Sequence, residues 1–202
     1  MYSDTREALL RPKLVRKADE DIEWNWARPK FFARSLNEDL KTKRLLYANG
    51  FATAEDPEFV GRCHGKAVGN GYFGVVKGDC KDVVDSANEM RKLRGTCVLV
   101  PSNSLQESVP GDTLALPNPM QWNHMHLESL EMVVVTTQDR ISYFNIFRMP
   151  EIWRGGFALT GDLQGDQLPG CTRTGEVVLC SMTPSMGWKS AVGLTHEVHR
   201  SI

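Results

Sequence analysis

Apolar positions along the chain change their period near its middle. Upstream of Pro101 they recur mostly every three or four residues, the spacing of one helix face. Ser35-Leu-Asn-Glu38 has the form of a capping box, in which the serine accepts from the third helical amide and the glutamate reaches back to the cap. Leu36, Leu40 and Leu45 continue the stripe, and Asn49-Gly50 supplies a left-handed terminator, so a helix is predicted between Ser35 and Asn49. A second helix is predicted after Asp82, with Val83, Ala87, Met90 and Arg94 about one turn apart, Val84 and Leu93 beside them, and Gly95 as its end. A shorter helix is expected to begin at Thr53, three residues before Asp56. The glycine-rich stretch from Gly65 to Gly78 reads as a loop with a short strand around Tyr72–Lys77.

Downstream the period falls to two. Thr96–Val100 reads as a short strand that Pro101 ends. Leu127–Thr137 and Arg140–Met149 are rich in β-branched and aromatic residues, and Gln138-Asp139 between them makes the pair hairpin-like. Further strands are predicted at Gly156–Thr160, Glu176–Met182 and Trp188–Val198, separated by Gly161, Gly165, Pro169-Gly170, Pro184 and Gly187. Short strands with punctuated turns argue for antiparallel sheets packed as a sandwich or jelly roll. The predicted class is therefore α+β, with a helical N-terminal half on a β-rich C-terminal half. An arm or helical extension over residues 1–34 precedes a single domain over 35–202. The stretch Pro101–Met120 carries Pro101, Pro110, Pro117 and Pro119 with little periodicity, which marks it as a partner-binding loop.

Composition confirms a folded chain and removes several classes. With 202 residues, 41% hydrophobic and 24% charged, the sequence fits neither a disordered chain nor a coiled coil. It has no apolar run near the roughly 20 residues that span a bilayer. Met1–Arg11 lacks the apolar core of a secretory signal, so a cytoplasmic, intracellular protein is expected. Residues 1–50 hold 11 Lys/Arg against 8 Asp/Glu, whereas residues 101–202 hold 6 against 10. The one basic cluster, Arg6, Arg11, Lys13, Arg16 and Lys17, is diluted by Asp4, Glu7, Asp19 and Glu20, which argues for a solvated face over a phosphate-binding one. The cysteines, Cys63, Cys80, Cys97, Cys171 and Cys180, are odd in number and contain no C-x-x-C pair, consistent with reduced thiols. Cys97 and Cys180 stand in apolar runs and are expected to be buried.

Few constellations could carry chemistry. His124-Met-His126 followed by Glu131 would, on a strand, place two imidazoles on one face with a carboxylate nearby, a two-His, one-carboxylate arrangement for a divalent metal. This spacing resembles the first metal motif of the cupin family, whose fold is a jelly-roll barrel. The resemblance covers about ten residues and implies metal binding by His124, His126 and Glu131. It departs from the family where Asn118 and Gln138 stand near expected glycines, and the remaining ligand would have to be His196 or His199. His196-Glu-Val-His199 lacks the zinc-protease register and reads as a loose tail. Cys63-His64 is adjacency without nucleophilic geometry. Gly69, Gly71 and Gly74 match the letters of a dinucleotide loop but lack a preceding strand.

Near the N-terminus, Trp24, Trp26, Arg28, Lys30, Phe31 and Phe32 interleave aromatic and basic residues. Such a segment can stack bases, dock on another subunit or pack on its own core. No residue set forms a recognisable active site, so the sequence leans away from an enzyme. The leading expectation is a non-enzymatic interaction or self-assembly protein, a homo-oligomer or the companion of a protein partner. Its expected layout is loosely similar to small viral coat, matrix or movement-type proteins. The alternatives are a cupin-like metal-dependent enzyme and an RNA-binding regulator acting through the basic, aromatic N-terminal segment.

Overall fold

A computed structural model describes residues 7, 10–11, 16–18, 36–76, 93–109, 120, 125–134, 143–161 and 163–200. The expected arm of residues 1–34 lies almost wholly outside these residues. Helix α1, Leu36–Ala48, forms where the capping box and leucine stripe place it. It closes at Gly50, whose φ of 68° is the left-handed value a side chain disfavours, and the Gly50 amide bonds the Tyr47 carbonyl at 3.0 Å.

Strand β1, Ala52–Glu55, takes the place of the helix expected from Thr53. Ala52 and Ala54 face the core alternately, and Asp56 caps a 3-10 turn over Pro57–Phe59 through the Glu58 amide at 2.8 Å. Strands β2, Arg62–Cys63, and β3, Lys66–Ala67, form a hairpin around His64-Gly65. Both turn residues have positive φ, 47° and 74°, the values of a primed turn that follows the twist of its strands. Strand β4, Gly71–Val76, agrees with the short strand read in the glycine-rich stretch. It pairs antiparallel with β5, Leu93–Val98, from Gly71↔Val98 to Val76↔Leu93. Leu93 and Arg94, expected at the end of the second helix, are therefore strand residues, and Gly95 pairs with Gly74 instead of capping a helix; residues 82–92 lie outside the described set.

A short helix α2, Val100–Ser104, begins the proline-marked loop, with Pro101 in its first turn, where a missing amide costs nothing. The hairpin expected over residues 127–149 does not form among the described residues. Residues 125–134 are irregular with a turn at Ser129-Leu130, and Tyr143–Ile146 is a 3-10 turn. Tertiary contact overrides β-propensity in the latter. The Tyr143 hydroxyl donates to the Thr195 carbonyl at 2.9 Å, and its ring meets Phe147 edge-on at 5.2 Å. Helix α3, Glu151–Arg154, runs into a 3-10 turn over Gly155–Phe157, so the strand expected there shrinks to bridges at Ala158 and Leu159. Strands β6, Leu163–Gln164, and β7, Glu176–Ser181, complete the set, and β7 agrees with its prediction. Helix α4, Ala191–Arg200, replaces the strand expected over Trp188–Val198.

The class is α+β. The strands form one three-stranded antiparallel sheet, β1-β7-β6, and two two-stranded ones, all small and none closed on itself. Five of the seven described strands lie before Val100, so helices and strands are not segregated by halves as expected. One core cluster joins Leu99, Val109, Trp153, Phe157, Trp188 and Leu194. A second lies between α1 and the three-stranded sheet, with Leu46, Leu163, Val177 and Leu179 at its centre.

Candidate interaction surface

Two buried polar assemblies hold the loops in place. Asn70 is fully buried between β3 and β4. Its Oδ1 accepts from the Ser102 hydroxyl at 2.8 Å and the Ser102 amide at 3.3 Å, and its Nδ2 donates to the Ala158 carbonyl at 2.9 Å. Its backbone bonds the same segment, through Asn70 N to Ala158 O and Thr160 N to Asn70 O, both at 2.8 Å. One side chain thus joins α2 to the segment that lies against β7. The second assembly clasps residues 103–109 to the turn before α4. Trp188 Nε1 donates to Gln106 Oε1 at 3.0 Å, Asn103 bonds Gly187 O and Lys189 N, and the Val109 amide donates to Ser190 Oγ at 2.8 Å. Residues 103–109 of the expected binding loop are therefore tied to the turn before α4. Burial also pushes the Lys189 ammonium below its ordinary range, against a partly compensating Glu107.

Of the two thiols expected to be buried, Cys180 is and Cys97 is only partly so, while Cys80 lies outside the described residues. Cys63 and Cys180 are fully buried, and Cys97 and Cys171 are partly buried. Burial first, then the Glu55 carboxylate, pushes the Cys180 thiol up to about 12, with Arg154 opposing. Burial pushes Cys97 up to about 11 against a hydrogen bond from Ser185. Both folded-state values lie above an unfolded thiol, so the unfolded chain loses these protons first. Each thiol's contribution is intact below about pH 8.5 and is lost as pH rises through the folded value. Denaturation midpoints are thus expected to fall between pH 9 and 12 beyond the ionisation of lysines. Cys180→Ala is expected to flatten that fall, and an unchanged slope in the variant would refute the assignment.

The sequence-predicted metal ligands do not converge among the described residues. His126 and Glu131 are both exposed on irregular backbone, which lacks the strand that was to align the imidazoles, and His124 lies outside the described set. Glu131 instead folds onto its own turn, accepting from the Glu128 amide at 3.1 Å while the Glu131 amide donates to Glu128 O at 3.0 Å. His196 and His199 belong to helix α4 and not to a loose tail. His196 is partly buried, and the exposed His199 ring packs edge-on at 6.3 Å from Tyr143. No cluster of three potential metal-ligating side chains occurs among the described residues. Cys63 is buried while its neighbour His64 projects at the hairpin tip, so they share no site. Gly71 and Gly74 lie inside β4, and the residues that follow it, 77–92, lie outside the described set. Trp24, Trp26, Arg28, Lys30, Phe31 and Phe32 lie outside the described residues.

What the sequence reading missed is an exposed apolar segment. Met125, Leu127, Leu130, Met132, Val133 and Val134 all stand in solvent, with Leu130 99%, Met132 82% and Val134 79% exposed. Scattered exposed leucines are ordinary, but six large apolar side chains within ten residues are not. The β-branched run that suggested a strand was the available signal, and it needed only the question of what would cover it. No helix among the described residues is long and apolar enough to cross a membrane. No protein-family model matches the chain, and no curated protein matches it.

Proposed function

We propose that this chain is a non-enzymatic interaction or self-assembly protein whose described contact surface is the segment 125–134. The observation that carries this reading is the exposure of six large apolar side chains there. Contiguous apolar patches on a monomer rarely exceed a few hundred Å2, and larger ones mark sites of association. The reading needs neither a closed barrel nor a sandwich.

The test compares the immobilised chain with a Leu130→Asp/Met132→Asp variant in an extract of its source, with retained proteins identified by mass spectrometry. Both positions are exposed, so folding stability should change by no more than about 0.5 kcal/mol, checked by thermal melting. At least one protein, this chain included, is expected to be retained by the wild type and reduced about tenfold by the variant, a difference of roughly 1.4 kcal/mol. Equal retention by both would overturn the reading.

A further inference from the structure

We infer that the edge formed by residues 105–107 is a docking site for an extended basic peptide, and that residues 16–18 of the same chain occupy it as an autoinhibitory contact. The inference concerns a different stretch of the chain from 125–134 and does not rest on the reading above. Arg16 and Gln106 form an antiparallel bridge, and the Lys17 amide donates to the Leu105 carbonyl at 2.9 Å. Arg16 Nη2 donates to the Arg62 carbonyl at 2.6 Å, and the Lys17 ammonium lies 3.5 Å from a Glu107 carboxylate oxygen. Main-chain bonds along an edge are indifferent to sequence, so the two side-chain contacts set the preference. They select consecutive Arg and Lys in extended backbone, one reading a carbonyl and the other a carboxylate. The acceptor is preformed. Leu105 shares a buried cluster with Cys63 and Val68, which fixes the Arg62 carbonyl beside the edge, and the bonds of residues 103–109 to the turn before α4 hold its other side.

The occupant is held weakly enough to exchange. Among the described residues it makes a single bridge. Glu107 is exposed and Lys17 half-buried, so water and salt screen their attraction. The Lys189 ammonium, which donates to the Gln106 carbonyl, stands close enough to feel both Glu107 and Lys17. Two ammonium groups therefore share one carboxylate, and Lys17 docks against a repulsion. A tethered occupant competes at an effective concentration of about millimolar. A peptide added in trans meets only the fraction of molecules whose edge is open, so removing the occupant raises its apparent affinity by the inverse of that fraction.

A fluorescein-labelled peptide of residues 11–20, titrated with the full chain and followed by anisotropy, tests this. The comparison is with Arg16→Ser/Lys17→Pro, which removes the occupant's amide and both its basic side chains and leaves the edge intact. The variant is expected to bind the peptide at least about threefold more tightly than the wild type. Sodium chloride should weaken that binding, and adding Glu107→Lys to the variant should weaken it about tenfold. Thermal melting checks that each variant folds, and Glu107→Gln, which keeps the shape of the side chain, should lose affinity in the same direction. Equal binding by wild type and variant overturns the inference. So does binding that neither Glu107 substitution reduces, or no binding by the variant up to millimolar protein.

Discussion

Phe157→Ala is expected to destabilise the protein by about 3–5 kcal/mol, the range for truncating a buried aromatic. Phe157 is fully buried and packs between two indoles, 5.2 Å from the Trp188 ring centroid at an interplanar angle of 81° and 6.5 Å from that of Trp153. The two indoles are themselves 5.6 Å apart. Removing the phenyl ring forfeits its transfer free energy, the edge-to-face contact and the packing of both neighbours. Those neighbours cannot collapse into the space freely, because Trp188 Nε1 is tied to Gln106 and α3 is tied to the turn that carries Phe157. Since a domain's whole stability is about 5–15 kcal/mol, the variant should be largely unfolded under mild denaturant. Urea titration followed by tryptophan fluorescence reads this directly, because two of the chain's indoles line the cavity. Phe157→Leu, which keeps most of the volume, should recover more than half of the loss. A Phe157→Ala loss under about 1 kcal/mol would mean that the three rings do not form the centre of this core.

The rings also show where the sequence was readable. Helix α1 was legible because its cap, its leucine stripe and its terminating glycine are all local and agree. Strand β7 was legible because it is a short β-branched, apolar run, as befits the central strand of its sheet, with Val177 and Leu179 buried on either side of the less buried Val178. Helix α4 was hidden by Val192, Thr195 and Val198, whose branched side chains favour strands, and by Ser190, whose hydroxyl serves the Val109 amide. Of its five buried positions, Ala191, Leu194 and Thr195 do follow the helical spacing, and Trp188 lies one turn earlier. β5 was legible only in part: Thr96–Val98 fall within the strand expected at Thr96–Val100, whereas Leu93 to Gly95 carry a helical spacing and become strand through their partner. Leu93 to Val98 pairs with β4 along its full length, information that lies some twenty residues away in the chain. The candidate metal ligands failed to converge for a related reason. A spacing of two places imidazoles on one face only if the backbone is extended, and the turn at Ser129-Leu130 interrupts any strand there. The apolar run at 132–134 signalled the exposed segment only ambiguously, because an apolar strand destined for a core and an apolar run left exposed share one signature.

The second large effect is expected from a change of one functional group with almost no change of shape. Asn70→Asp replaces the Nδ2 donor to the Ala158 carbonyl with an oxygen, so at neutral pH a carboxylate would face a carbonyl 2.9 Å away in a fully buried site. Ser102 can still donate to the other oxygen, but Ser102 carries no charge to offset the burial. An ionised carboxylate without a cationic partner in such a place costs at least about 3 kcal/mol, and the cheaper response is to hold its proton. Burial therefore raises the folded-state value above the unfolded aspartate value of about 3.9. With the folded value raised, the variant is closest to the wild type below about pH 4 and loses stability as pH rises through the folded value. In the protonated form the new hydroxyl can donate to Ala158 O and rebuild the lost bond. The gap between wild-type and Asn70→Asp denaturation free energies should accordingly widen from acid to neutral pH before levelling. Asn70→Ala leaves the Ser102 amide without its acceptor, while the Ala158 carbonyl keeps the backbone amide of residue 70, and no charge is introduced, so its deficit should be smaller at pH 7 and flat across the same range. A flat Asn70→Asp profile would show that water or a cation reaches the site and that Asn70 is not the sealed junction between α2 and the segment along β7.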